Sequence, residues 1–162
     1  WIPAATPPHK TDGTHLASPE HRLEMIRRAT ADNERFLVSD IEVERSGISY
    51  TVDTVRVLQE RYEQHSFYLL MGGDMFVDLP NWRRPEEIAR RVSLIVYARP
   101  GADLSRVPDT FRRSAEIVET PLLGISGTDI RDRLRNDRSC RYRVPDSVLS
   151  YICEHELYTV DA

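Results

Sequence analysis

The stretch that most constrains the fold is an apolar run at residues 67–71 (Phe-Tyr-Leu-Leu-Met) that ends directly on Gly72, Gly73 and Asp74. An uninterrupted apolar run of this length, bounded by glycines, is typical of a strand that is buried on both faces in a parallel sheet. Adjacent glycines allow a sharp turn and a close approach to a ligand. Because open α/β sheets bind ligands at the carboxyl ends of their strands, the sequence predicts a ligand site at Asp74. The alternative is that Asp74 only caps the next helix.

Capping signals and periodicity divide the rest of the chain into alternating helices and strands. Helices are predicted at residues 18–31, 51–62, 85–91 and 104–114, and from residues 126 and 145 onwards; strands are predicted at 36–38, 41–43, 93–98 and 115–118. This alternation predicts an α/β fold, a Rossmann-like parallel sheet flanked by helices, in a single domain spanning residues 1–162.

Composition narrows the function classes. A net charge of −4 gives no reason to expect nucleic acid or a membrane surface as partner, and no apolar run has membrane-spanning length. Cys140 and Cys153 lack the spacing of a zinc site or a disulfide framework, so a reducing, cytoplasmic setting is the simplest expectation. The five histidines show no metal-ligand spacing, so no protein metal site is predicted. An enzyme built from this chain would work by positioning and charge.

The strongest phosphate candidate is the helix that opens at Ser126. Free backbone amides and the helix dipole attract an anion there, Thr128 adds a hydroxyl, and Arg131 lies one turn further on with a forked guanidinium. The competing interpretation is a plain capping pair formed by Ser126 and Asp129.

Three further candidates lie elsewhere in the chain. Tyr50 and Thr51 begin a helix whose amides could hold a carboxylate, or could simply be capped. Trp82, followed by Arg83, could stack on a flat ring or serve only for packing. Lys10 lies on a polar loop and could meet phosphates, or could be an ordinary surface lysine.

Short motifs follow one another along nearly the whole chain. They are Pro7-Pro8-His9-Lys10, Ser18-Pro19-Glu20-His21-Arg22, Ser39-Asp40-Ile41-Glu42, Ser49-Tyr50-Thr51-Val52-Asp53-Thr54, Gly72-Gly73-Asp74, Leu79-Pro80-Asn81-Trp82, Arg99-Pro100-Gly101 and Ile125-Ser126-Gly127-Thr128-Asp129-Ile130-Arg131. No single motif is decisive, but in order and spacing the set resembles the bacterial nicotinate-mononucleotide adenylyltransferase family, of the nucleotidyltransferase α/β phosphodiesterase superfamily.

The resemblance implies transfer of AMP from ATP to nicotinate mononucleotide, which gives nicotinate adenine dinucleotide and pyrophosphate in NAD biosynthesis, with Mg²⁺. It also implies roles for the candidate residues. Residues that would bind ATP are Ser126, Thr128 and Arg131 at its phosphates, and Gly72, Gly73 and Asp74 along the nucleotide site, with Asp74 near a ribose.

Residues that would bind the mononucleotide follow from the same resemblance. Trp82 would stack on the pyridine ring, backbone groups around Tyr50, Thr51 and Arg83 would take the carboxylate, and Lys10 would lie on the substrate loop. The nucleophile would be the mononucleotide's own phosphate, whose second pKa is about 6, so no protein base is needed. Mg²⁺ can be held mainly by the phosphates.

The chain departs from the family in two ways. Gly127 stands where the family has a second serine, which removes a hydroxyl donor. The family's first strand, glycine-rich turn and His-x-Gly-His motif are absent from these residues, so we expect a strand-loop-helix unit to precede Trp1. The alternatives are a relative that uses nicotinamide mononucleotide or another phosphate acceptor, and a non-catalytic nucleotide-binding remnant. A homo-oligomer is left open.

Overall fold

A computed structural model describes residues 1–8, 16–98, 103–121 and 123–159. Within these residues lie eight α-helices and three strands: α1 Pro19–Thr30, α2 Ile41–Arg45, α3 Thr51–Arg61, β1 Tyr68–Gly72, α4 Gly73–Asp78, α5 Pro85–Arg91, β2 Ser93–Ala98, α6 Asp109–Arg112, β3 Ala115–Glu119, α7 Gly127–Arg135 and α8 Asp146–Glu154. The chain divides into two compact units, Tyr50–Leu123 and the pair of segments Trp1–Ser49 and Gly124–Ala162. A single domain stays a prediction.

The sheet lies in the unit Tyr50–Leu123 and is parallel, in the order β1-β2-β3. Leu69 lies opposite Leu94, and Leu94 in turn lies opposite Ala115. Because every connection in this sheet joins parallel strands, each crossover contains helical structure, as the alternating pattern predicted. The predicted parallel α/β sheet is therefore confirmed.

The core of this unit fills one face of the sheet. Side chains from α3, α4 and α5, from the turn after α4 and from β2 are almost completely buried together: Val52, Phe76, Leu79, Ile88, Leu94 and Val96. Burial of each such side chain stabilises the fold by roughly 1.5–3 kcal/mol. This packing fixes α3, α4 and α5 against the sheet, and these helices carry candidate site residues.

The prediction that the apolar run is buried on both faces is wrong. Tyr68 and Leu70 are 63% and 65% exposed, whereas Met71 is buried. Successive side chains of a strand point to opposite faces, and the buried cluster contains Met71 together with Leu94. In β1, therefore, only one face of the apolar strand is buried, and the other face is exposed.

Three further predictions of secondary structure are also wrong. Residues 41–43 form helix α2 because their backbone bonds locally, Glu44 N donating to Asp40 O at 2.8 Å, and a strand needs a partner. Residues 36–38 form no strand. The helix predicted at 104–114 is broken at Pro108, which has no N–H and holds Val107 in an extended conformation.

The remaining elements are confirmed. Helix α1 begins as predicted, with the Ser18 hydroxyl accepting from His21 N at 3.3 Å. In the same unit α1 packs against α8, where Tyr151 is buried and its hydroxyl lies 2.8 Å from His21 Nδ1. None of the helices within the described segments is both long and apolar enough to cross a membrane.

Candidate active site

The carboxyl end of β1 places Asp74 beside Gly72. A Cβ on Gly72 would lie 2.5 Å from Asp74 Oδ1 and 3.5 Å from the Tyr97 ring, so the Asp74 carboxylate folds back over the glycine and would have to move aside for a larger residue. The φ of Gly72 is −73°, which any residue can adopt, so the glycine is not needed for a sharp turn. Gly72 itself is the N-cap of α4 and Gly73 its first residue; Asp74 does not cap and is exposed.

The amino end of α3 begins at Thr51, as predicted. Tyr50 is the N-cap residue, and its side chain makes no capping hydrogen bond. Its carbonyl accepts from Asp53 N at 3.0 Å, which closes the first turn. Because no side chain of the cap residue covers this end of α3, the positive end of the helix dipole is offered to an anion.

Arg83 is held directly beside this helix end. Its guanidinium carbon lies 4.6 Å from the centre of the Tyr50 ring, and its Nη1 lies 3.4 Å from Asp53 Oδ2. The structure therefore brings Tyr50, Thr51 and Arg83 together, which the sequence pattern alone did not require. The result is a corner at the amino end of α3 in which Arg83, paired with Asp53, lies over the Tyr50 ring.

Trp82 adjoins this corner. Its ring packs partly against the hydrophobic core, and its Nε1 donates to Asp78 Oδ2 at 3.2 Å. Part of the side chain remains exposed. Packing against the core is thus one role of Trp82, and stacking on a ligand ring stays a prediction.

A network of charges links α3 to α5, the helix that follows the Trp82 turn. Arg56 donates to both carboxylate oxygens of Glu87 at 2.8 and 2.7 Å and to Asp53 at 3.2 Å. Glu87 also pairs with Arg91 at 2.8 Å and Arg84 at 3.4 Å. Hydrogen bonds from Arg56, and then from Arg91, lower the pKa of Glu87 to about 2. These ion pairs hold the amino-terminal part of α5 against α3.

The helix predicted to bind phosphate lies in the other unit. The Ser126 hydroxyl accepts a hydrogen bond from Asp129 N at 3.1 Å, so Ser126 caps α7, as the capping interpretation predicted. Asp129 itself pairs with Arg143 at 2.7 Å. Arg131 Nη2 donates to the Thr128 hydroxyl at 3.2 Å. Ser126 and Thr128 are exposed, and each hydroxyl can still donate its proton to an anion.

Gly127 accommodates the Arg131 guanidinium. A Cβ at position 127 would lie 3.2 Å from Arg131 Nη1, closer than is usual for a side chain. The glycine that replaces the family's second serine therefore leaves room for the arginine to fold back toward Thr128.

The predicted residues thus form three local groups: Tyr50, Thr51, Trp82 and Arg83 at the amino end of α3; Gly72, Gly73 and Asp74 at the end of β1; and Ser126, Thr128 and Arg131 at the start of α7. Lys10 and the Arg99-Pro100-Gly101 motif lie outside the described residues. The described parts of the chain hold no group of three or more His, Cys, Asp or Glu side chains placed for a metal.

Sequence reasoning missed three acids: Asp53 and Asp78, which contact Arg83 and Trp82, and Glu87, which links α3 to α5. Helical spacing offered a signal for two of them, because Glu87 precedes Arg91 by four residues and Asp78 precedes Trp82 by four. The contact between Arg56 and Glu87 spans 31 residues and has no local signal.

Comparison with known proteins places this architecture in a class. Residues 1–133 match the family described as cytidylyltransferase-like. The chain belongs to this family, whose parallel α/β fold agrees with the sheet described above.

The relatives narrow this further. The chain is 47% identical over 158 residues to a Salinibacter ruber protein named "Probable nicotinate-nucleotide adenylyltransferase", a match that covers 98% of this chain and 80% of the relative. A protein of the same name from Oceanobacillus iheyensis is 40% identical, covering 98% of this chain and 79% of the relative. Within its class, the chain is a member of the nicotinate-nucleotide adenylyltransferases.

Solved structures support the fold. A Plasmodium falciparum nicotinic acid mononucleotide adenylyltransferase complexed with NaAD matches 97% of this chain and 80% of its own, with a TM-score of 0.74 and 17% identity. The same enzyme complexed with APC matches 88% and 77%, with a TM-score of 0.70 and 18% identity. At these identities the likeness establishes the α/β fold.

Proposed function

We propose that this protein transfers AMP from ATP to nicotinate mononucleotide, giving nicotinate adenine dinucleotide and pyrophosphate, a step of NAD biosynthesis. The observation that carries the proposal is the corner at the amino end of α3, where Arg83 lies over Tyr50 and next to Trp82. An aromatic ring beside an anion-attracting helix end suits an aromatic carboxylate. The 47% identity to a nicotinate-nucleotide adenylyltransferase supports the same substrate.

Ser126, Thr128 and Arg131 act on ATP in this proposal. Their hydroxyls and guanidinium hold phosphate oxygens and stabilise the negative charge that develops on the departing pyrophosphate. Arg131 offers two forked donors, which suit two phosphate oxygens at once. Gly72, Gly73 and Asp74 line the nucleotide site, where the exposed Asp74 carboxylate accepts hydrogen bonds from ribose hydroxyls.

The mononucleotide supplies its own nucleophile. A phosphate oxygen attacks the α-phosphorus of ATP in line, the bond from that phosphorus to the bridging oxygen of the β-phosphate breaks, and pyrophosphate leaves with the electron pair. Because the phosphate is largely ionised near neutral pH, no side chain has to remove a proton. Trp82 stacks on the pyridine ring, and the amides near Thr51 and the charge of Arg83 bind the carboxylate. Lys10 lies on the substrate loop in this scheme.

Nucleotidyltransferases of this type use ATP together with a divalent metal ion, and we propose that the ion is Mg²⁺. Mg²⁺ binds phosphate oxygens and keeps several waters, so it belongs to the ATP substrate. The donors at the start of α7 are hydroxyls and a guanidinium, and this chemistry suits phosphate oxygens. The two free thiols, Cys140 and Cys153, agree with a reducing, cytoplasmic setting, and a homo-oligomer stays a prediction.

Substrate selectivity tests the proposal. Pyrophosphate release with ATP is measured for nicotinate and nicotinamide mononucleotides, and we expect kcat/KM to favour the acid by roughly ten-fold or more, because a charge-assisted contact is lost with the amide. Arg83→Met should reduce this preference, whereas Arg90→Met, a change of the same charge on α5, should leave it intact.

The competing function is adenylylation of nicotinamide mononucleotide or of another phosphate acceptor such as phosphopantetheine. Equal turnover of acid and amide would contradict the placement of the carboxylate beside Thr51. Mononucleotide binding without any pyrophosphate release would instead indicate a nucleotide-binding protein that does not catalyse.

A further inference from the structure

Asp78 is the last residue of α4, and both of its carboxylate oxygens accept hydrogen bonds from the turn that follows. Oδ1 lies 2.9 Å from Asn81 Nδ2, and Oδ2 lies 3.2 Å from Trp82 Nε1. Both partners are donors here, so a carboxylate can accept one bond with each oxygen. The indole N–H has no alternative role, because tryptophan can only donate.

Asp78 lies at the end of its helix where an acid is unfavourable, so its hydrogen bonds have a local cost to offset. The carboxyl end of a helix carries partial negative charge, and an acid there is disfavoured. Asp78 closes α4 nonetheless. The hydrogen bonds to Asn81 and Trp82 offset this local cost.

The backbone of the turn is fixed independently of Asp78. Leu79 is fully buried in the core, Pro80 restricts its own φ, and Trp82 N donates to Leu79 O at 3.0 Å. With the Cα of Trp82 held in this way, only its two side-chain torsions decide where the indole plane lies. A hydrogen bond from Nε1, which lies to one side of the Cβ–Cγ axis, constrains both torsions.

We propose that Asp78 is a positioning residue for the mononucleotide site. By holding Nε1 of Trp82 it keeps the indole plane in the orientation against which the pyridine ring stacks. The inference rests on the proposed function, and Asp78 acts through Trp82 without touching the substrate. The substrate feature that Asp78 serves is the flat aromatic ring.

The charge of Asp78 makes the direction of the change in KM informative. Both substrates are anions, so removing a nearby carboxylate should, by electrostatics alone, strengthen their binding. Loss of a positioning contact should weaken mononucleotide binding instead. The direction of the change in KM therefore separates the two effects.

The first experiment compares Asp78→Leu with Asp78→Asn in the purified protein. We expect Asp78→Leu to raise the KM for nicotinate mononucleotide roughly three- to ten-fold, with kcat and the KM for ATP within about two-fold of the wild type. Asp78→Asn should restore most of the affinity, because its oxygen can still accept from Trp82 while Asn81 turns its own oxygen toward the new amide. Glu86→Gln on α5 is the matched control for loss of one negative charge.

The second experiment is a double-mutant cycle with Trp82→Phe, which keeps a ring but has no N–H. In the Trp82→Phe background, Asp78→Leu should cause no further rise in KM. An equal rise in both backgrounds, a wild-type KM for folded Asp78→Leu, or equal effects of Leu and Asn would overturn the inference. If Asp78→Leu does not fold, Asp78→Ala makes the same comparison.

Fluorescence separates this inference from the proposed function. With Trp1 replaced by Phe, the emission of Trp82 can be followed alone, since these are the two tryptophans of the sequence. Asp78→Leu should increase acrylamide quenching of Trp82 and lower its anisotropy, and Asp78→Asn should not. Unchanged quenching and anisotropy would contradict the inference. A wild-type protein that releases no pyrophosphate would contradict the proposed function alone, because the indole readout does not depend on turnover.

Discussion

Arg131 reaches back along α7 to the Thr128 hydroxyl, and Gly127 leaves the space for it. The side chain is half-buried, so its guanidinium is partly ordered before an anion arrives. A partly ordered donor loses less conformational entropy on binding, which favours Arg131 as the residue of α7 that contributes most to phosphate affinity.

Arg131→Ala should therefore weaken ATP binding or transition-state stabilisation by about 1.5–3 kcal/mol, the range for a charge-assisted hydrogen bond. The measurement is kcat/KM for ATP, with the free energy of unfolding as a check on folding. Arg135→Ala is the control, because Arg135 lies on the same helix and pairs with Asp132 at 3.3 Å. If Arg131→Ala keeps wild-type turnover and ATP affinity, Arg131 does not bind the ATP phosphates.

Trp82 has two roles to separate, since it packs against the core and adjoins the Arg83 corner. Trp82→Ala should lower the free energy of unfolding and should also raise the KM for the mononucleotide, because the stacking surface is lost. Val77→Ala is the comparison, since Val77 packs against the same core and has no proposed ligand contact. If both variants lose stability and neither changes KM, Trp82 serves packing alone.

At the scale of elements, the link between α3 and α5 depends on the ionisation of Glu87. Its pKa is lowered from 4.5 to about 2, first by hydrogen bonds from Arg56. The folded protein therefore binds this proton less readily than the unfolded chain. The stabilisation is fully present above about pH 4.5 and is lost as the pH falls toward 2.

Glu87→Gln should be less stable than the wild type at neutral pH, and the difference should shrink as the solution is acidified toward pH 2. Urea unfolding across this range measures it. Glu86→Gln, a neighbouring exposed acid in the first turn of the same helix, should leave the pH dependence unchanged. If the difference in the free energy of unfolding between Glu87→Gln and wild type is constant with pH, the ion pairs of Glu87 do not contribute to the pH dependence of stability.

Elements were predictable where the signal is local. Helices α1 and α5 begin at prolines with acids in the first turn, and α3 has a clear apolar stripe, so caps and periodicity defined them. Helix α2 was missed because Ile41 and Val43 favour a strand only when a partner strand is present. The exposed face of β1 was missed because an apolar run does not say how many layers cover it.

For the whole molecule, the parallel α/β class and the family followed from the order of motifs along nearly the full chain. The start of α7 and the amino end of α3 could be predicted, because capping residues mark helix ends in the sequence. The acid that pairs with Arg83 could not, because Asp53 and Arg83 are 30 residues apart and only folding makes them neighbours.

The Glu87 cluster also bears on which sequences this fold tolerates. One carboxylate is shared by three guanidiniums, so a substitution of Arg84 or Arg91 leaves the acid with other partners. A substitution of Glu87 leaves three cations facing one another. The arginines of the cluster are therefore partly redundant, whereas the acid is not. Substitutions should be tolerated better at the arginines than at Glu87.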